Sequence, residues 1–173
     1  MSLTELALRA YPGGRILRAV SGVRVATAAD IAACYAISRD LPSDRPTSLD
    51  RDLRERERLL LVAEQNDAVI GYGRAALWTV VPDDGRDGYY LTGVSVHPDQ
   101  RRRGVALALT QARMRWIARR AEEAWYFTNA ANVASIALHS RFGFQEVTRA
   151  PSFRGVQFDG GEGILYRAPV SPL

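Results

Sequence analysis

The sequence predicts a mixed α/β fold: a largely antiparallel central sheet of about six or seven strands with helices on both faces. Three observations predict it. The first half carries long apolar runs broken by short turn signals, the pattern of an antiparallel meander. The second half alternates short strand patterns with helix patterns, which brings parallel pairing into the same sheet. The chain has 173 residues, 47% of them hydrophobic, enough to bury a core without disulfides or metals.

The elements follow in order. Residues 1–20 read as an N-terminal extension and residues 21–173 as a single domain. Leu3 to Ala10 could form a short helix, stopped by Pro12-Gly13-Gly14. Val23 to Ala26 alternates like a strand, and an Ala-rich helix runs from Thr27 or Ala28 through Ile37. Ser48 suits the N-cap of a helix reaching about Arg58. Its alternating acids and arginines read as a solvated face with local pairs such as Asp50/Arg54 and Asp52/Arg56. Leu59–Glu64 and Ala68–Val80 flank the turn Asn66-Asp67 as a hairpin. Tyr89–Val96 is the next strand, and Gly104 to about Ala121 is a helix buried through Leu107, Leu109, Ala112, Met114, Ile117 and Ala118. Trp125–Thr128 is a strand and Val133–Arg141 a helix. Gln145–Arg149 and Gly163–Arg167 close the sheet as a pair around a Gly-rich loop.

Composition excludes several classes. No apolar run approaches the roughly 20 residues that span a bilayer, and no signal-peptide pattern opens the chain, so a cytoplasmic, membrane-free protein is expected. Cys34 is the sole cysteine, which rules out an intrachain disulfide and fits a reducing compartment. With two histidines besides, a zinc site is not expected. All 23 basic residues are arginine, so a lysine Schiff base and a Walker-type lysine are impossible. The pI of about 9.6 favours anionic partners without saying which.

The most informative stretch runs from Leu91 to Leu107, a strand that passes through a basic loop into a helix. A helix start presents unpaired N–H groups and the positive end of its dipole, which suits an anion. Gly104 allows close backbone approach, Ala106 leaves room, and Arg101, Arg102 and Arg103 add charge. Arg101-x-x-Gly104-x-Ala106 resembles the pyrophosphate signature of the GCN5-related N-acetyltransferase (GNAT) family, (Gln/Arg)-x-x-Gly-x-(Gly/Ala), and lies directly after the strand that the family puts there. The resemblance implies acetyl-coenzyme A as co-substrate, its diphosphate on Arg101–Leu107, Val105 included. It implies that Val94, Ser95 and Val96 line the pantetheine arm along a splayed strand, with Gly93 at the distortion. The bland reading of Gly93 is a close packing point in an ordinary strand.

Asn132 to Phe144 is the second informative segment. Locally it is an N-capped helix ending at Gly143, with Phe144 packing back. It resembles the family's Asn-x-x-Ala/Ser-x-x-Leu-Tyr-x-x-x-Gly-Phe segment, in which the asparagine contacts the cofactor and the tyrosine often protonates the leaving thiolate. The resemblance carries cofactor contact to Asn132 and Ser135. His139 stands where the tyrosine usually is; its imidazole could give the sulfur a hydrogen bond or proton, or simply pack in a short helix. His97 beside Pro98 reads as structural.

The implied chemistry is direct attack of an amine on the thioester in a ternary complex, with a backbone N–H near Val94 on the oxyanion. Glu64, Glu162, Tyr89 and Tyr90 are candidate bases, each with an ordinary structural reading. Loops 41–50, 81–88 and 150–162 should shape the acceptor site, where Asp83, Asp84, Asp87, Asp159 and Glu162 could attract a cationic amine. A small-molecule amine is the first expectation for the acceptor, a protein N-terminus or lysine the second. A non-catalytic coenzyme A-binding module is the competing class. An arginine-rich nucleic-acid binder ranks last, since basic residues are scattered among acids outside 101–103. The resemblance also leaves a homodimer open.

Overall fold

A computed structural model describes residues 22–38, 49–79 and 86–171. The main sheet has seven strands in the order β1-β2-β3-β4-β5-β9-β6: β1 Gly22–Val25, β2 Arg58–Gln65, β3 Ala68–Trp78, β4 Gly88–Val96, β5 Glu123–Asn129, β6 Gln145–Ala150 and β9 Gly163–Pro169. A separate two-stranded sheet pairs β7 Ser152–Phe153 with β8 Val156–Gln157. The helices are α1 Ile31–Ser38, α2 Leu49–Arg54, α3 Val105–Ala118 and α4 Val133–Ser140. The mixed α/β expectation and its strand number therefore hold. The expected helices over 3–10 and from Ser48 begin outside the described residues.

β1 pairs antiparallel with β2, and β9 pairs antiparallel with both β5 and β6. β4 pairs parallel with β5 through Tyr89↔Ala124 and Tyr90↔Trp125. Parallel neighbours need a crossover, and α3 supplies it. The β2–β3 turn is as short as expected: Asn66 and Asp67 sit at φ 50 and φ 61, the left-handed geometry that two-residue hairpins favour.

The chain forms two compact units. One contains the described residues up to Arg74 with Gly93–Ala112, the other Ala75–Thr92 with the residues from Arg113 onward. The first is built around Cys34, Ile37, Leu49, Leu60, Val62 and Tyr72. The second is built around Tyr90, Trp125, Phe153 and Leu165, with Trp78, Phe127 and Phe158 packed on them.

Two elements depart from expectation. α2 ends at Arg54, and Asp52 on it is not solvated. Its carboxylate is buried between Arg58 (Nη1, 3.0 Å) and the Nε of Arg74. Arg74 lies on β3, so a tertiary partner outweighs the local i,i+4 pairing with Arg56. In α3 the buried stripe is Val105, Leu109, Arg113 and Ile117, an unbroken i, i+4 series. Leu107 and Met114 are only half-buried. Reading by apolarity alone passed over Arg113, which is wholly enclosed, its pKa lowered by burial to about 9.

Candidate functional site

In the first unit, β4 leads through the turn Pro98–Gln100 and residues 101–104 into α3. His97 caps this turn: its Nδ1 accepts from the Asp99 N–H at 3.4 Å, and its own N–H donates to the Ile70 carbonyl at 2.9 Å. Arg102 adopts φ 61 and Gly104 φ 85. A left-handed residue turns its amide against the regular direction, so successive N–H groups can face one concavity. The first bond carried back from α3 is Ala108 N–H to the Gly104 carbonyl at 3.0 Å. Val105, Ala106 and Leu107 form the first turn of α3, where the helix presents its leading N–H groups. Arg101, Arg102 and Arg103 are exposed, and the Arg101 Nε reaches back to the Val96 carbonyl at 3.2 Å. Val105 is buried at 1% exposure and anchors the turn, whereas Ala106 and Leu107 are half-buried. A strand-to-helix turn that brings the first amides of α3 beside three exposed arginines suits an anion.

Upstream, Gly93 is exposed with φ 153, while Ser95 is buried and Val94 and Val96 are half-buried. β4 thus alternates through the segment expected to line an extended ligand.

In the second unit, Asn132 caps α4: its Oδ1 accepts from the Ser135 N–H at 3.1 Å. His139 lies one turn further, buried at 4% exposure. Its Nδ1–H donates to the Ser135 carbonyl at 2.8 Å, and its Nε2 is buried without a partner among the described residues. The ring stacks on Tyr126 at 4.0 Å, and Tyr126 stacks in turn on Tyr166 at 4.8 Å. Burial, with the nearby Arg113 charge, lowers the His139 pKa to about 4. At neutral pH this imidazole has one proton, already donated to a carbonyl. In this tautomer Nε2 is an acceptor.

The expected bases are also engaged. Glu64 takes the Arg24 guanidinium at 2.5 Å, and Glu162 takes Arg149 at 2.8 Å. The Tyr90 hydroxyl donates to the Arg86 carbonyl at 2.7 Å and accepts from its N–H at 3.0 Å. Tyr89 packs edge-on to Trp116 at 5.4 Å. Asp87 and Asp159 are exposed, and Asp83 and Asp84 lie outside the described residues. Cys34 is buried, and burial pushes its thiol up to about 11, far from a nucleophilic thiolate. Among the described residues no group of His, Cys, Asp and Glu could hold a metal, and no helix is long and apolar enough to cross a membrane.

Sequence reasoning missed one polar feature. Arg154, in the loop expected to shape the acceptor site through its acids, sits at the tip of the β7–β8 hairpin with its guanidinium over the Trp78 and Tyr90 rings. The signal was present: Phe153-Arg154-Gly155-Val156 is a two-residue turn between apolar neighbours.

Comparison with known proteins identifies the family. Residues 26–144 match the model of the acetyltransferase (GNAT) family. Over 127 residues the chain is 34% identical to acetyl transferase GW6a of Oryza sativa subsp. japonica. That match covers 66% of this chain and 29% of the rice protein, so the chain spans under a third of that relative's length. Among solved structures, the ribosomal-protein-alanine N-acetyltransferase of Brucella melitensis superposes with a TM-score of 0.69 at 25% identity, covering 86% of this chain and 99% of that one. The yncA protein of Salmonella typhimurium, solved with its cofactor acetyl-CoA, superposes at 0.64 with 25% identity over 86% and 92%. The family match takes in β2, β3, β4, the amide-lined turn and the capped helix α4 together, and the chain belongs to the acetyltransferase (GNAT) family.

Proposed function

We propose that this protein is an N-acetyltransferase that moves the acetyl group of acetyl-coenzyme A to the primary amine of a small molecule. One observation carries the reading: the start of α3, where left-handed Arg102 and Gly104 turn the chain into the helix beside exposed Arg101 and Arg103. It matches the chemistry of a diphosphate, whose charge is met by N–H donors, dipole and guanidinium groups together. Val94, Ser95 and Val96 would take the pantetheine arm, and Asn132 and Ser135 would add contacts.

In this reading the amine attacks the thioester carbon directly, the carbonyl oxygen takes up charge near the Val94 amide, and coenzyme A leaves as the thiolate. Buried, thiol-form Cys34 argues against an acetyl-cysteine intermediate. No proton-donating role is assigned to His139, because its N–H is held by the Ser135 carbonyl. Water is the simplest carrier for both protons. A protein N-terminus is the second reading for the acceptor, favoured by the name of the Brucella relative. Cytoplasmic residence and a homodimer belong to the proposal as well.

The test is calorimetric titration of acetyl-coenzyme A, followed by thiol release with a panel of amines. Gly104→Val forces a β-branched side chain into φ 85 at the turn. It is expected to weaken binding by about tenfold or more, since each lost charge-assisted contact is worth roughly 1.5–3 kcal/mol. Unchanged affinity in that variant would remove the basis of the reading.

A further inference from the structure

We infer that the second unit contains an acceptor subsite for a carboxylate: Arg154, laid on an aromatic floor, would grip the acid group of an amino-acid-type amine with an apolar body. This rests on the acetyl-transfer reading above, and names its substrate class.

The floor is a continuous set of rings. Trp78 stacks on Tyr90 at 4.8 Å, Trp125 stacks on Tyr90 at 6.4 Å, and Phe127 meets Trp78 at 5.8 Å and Phe153 at 5.8 Å. Tyr90 and Phe153 are buried, whereas Trp78 and Phe127 are only half-buried. The Tyr90 hydroxyl is tied to Arg86, so the ring offers its face and not its oxygen.

Arg154 is placed over this floor by backbone geometry. It and Gly155 occupy the β7–β8 turn at φ 51 and φ 71, which folds the hairpin back. Its guanidinium carbon lies 5.0 Å from the Trp78 ring centre and 5.5 Å from that of Tyr90. Nη2 donates to the Thr79 carbonyl at 3.1 Å. Nη1 is buried and has no hydrogen-bond partner among the described residues. None of the ion pairs among those residues includes Arg154, whereas Arg149 on the same stretch is paired with both Glu146 and Glu162.

A guanidinium stacked on a ring keeps its in-plane N–H groups for hydrogen bonding, and these form the fork that matches a carboxylate. Leaving one such donor buried and unmatched is costly, so an anion that reaches it is held firmly. The rings beside it would take up an apolar side chain. The 150–162 segment would then offer the acceptor a cation at Arg154 beside the acids Asp159 and Glu162.

Three ligands of one carbon skeleton test this: leucine, 3-methylbutylamine, which lacks the carboxylate, and 4-methylpentanoate, which lacks the amine. Binding is read by tryptophan fluorescence, independently of turnover. Leucine and 4-methylpentanoate are expected to bind saturably, and 3-methylbutylamine about tenfold more weakly or worse, as for any site that loses a designed hydrogen bond. Arg154→Asn, tolerant of the left-handed turn, should abolish the difference. Arg154→Lys keeps the charge without the fork and should narrow it. If that Asn variant does not fold, a narrowed preference in Arg154→Lys carries the test. Equal affinity for the three ligands, or a preference unchanged in whichever variant folds, overturns the inference. Carboxylate binding with no thiol release from any amine would sink the acetyl-transfer reading alone. Thiol release indifferent to the carboxylate would sink this one alone.

Discussion

Asp52 shows how one residue can be misread from its neighbours in sequence. Acids and arginines alternate over 50–58, and a helix with that pattern is normally solvated. Yet the Asp52 side chain is 1% exposed, held by the Arg58 Nη1 at 3.0 Å and by the Arg74 Nε. Nothing local distinguishes Asp52 from Asp50; only the arrival of β3 does. Removing one partner of a buried ion pair strands the others without a counter-charge. Asp52→Ala is therefore expected to lower unfolding stability by about 3–5 kcal/mol. Asp50→Ala, on the exposed side of α2, should change it by under ~0.5 kcal/mol. Urea denaturation of the two variants measures the contrast, and equal small losses would show that the buried pairing contributes little. His139 teaches the same lesson for the site. Its position in a family pattern was legible, but its protonation state was not. That state depends on burial and on Arg113 from another element.

At the scale of elements, the amide-lined turn was the most legible part of the chain. Its chemistry is carried by backbone over a short stretch, and Gly104 with three arginines marks it in sequence. The β7–β8 hairpin was not read, because two-residue strands have too little periodicity to register. The packing beneath the turn was equally hidden. A Cβ on Gly71 would lie 2.9 Å from the Ser95 carbonyl oxygen and 3.1 Å from the Val105 Cγ1. β3, β4 and the first residue of α3 thus meet at a point where only hydrogen fits. Backbone cannot yield as a flexible side-chain end can. Gly71→Ala is expected to cost about 1–3 kcal/mol as overpacking. Because the shift falls on Val105, acetyl-coenzyme A affinity should drop as well. A variant of wild-type stability and affinity would mean that the contact relaxes without consequence.

Across the whole molecule, acid stability combines groups that the sequence left unconnected. Asp30 is bound by Arg24 at 2.7 and 2.8 Å and by the Thr27 N–H at 2.7 Å, and these hold its carboxyl well below the ordinary range. A carboxyl lowered on folding stabilises the fold above its unfolded pKa of roughly 4, and that contribution is lost only as pH falls below it. His139 acts in a different window. Burial in the folded state lowers its pKa to about 4 from an ordinary value near 6.5. Between those values the unfolded chain binds a proton that the native state refuses, so stability must fall as pH drops from about 6.5 to 4. The full difference corresponds to about 3.5 kcal/mol, at about 1.4 kcal/mol per unit. Urea midpoints should therefore decline through pH 6 and 5, before the Asp30 carboxylate begins to protonate. His139→Phe keeps a ring against Tyr126 but cannot titrate, and should flatten the curve between pH 6.5 and 4.5 while leaving the steeper loss below pH 4. Should that variant retain the slope, the imidazole is not the group that titrates, and its enclosure beneath α4 would have to be looser than the 4% exposure implies.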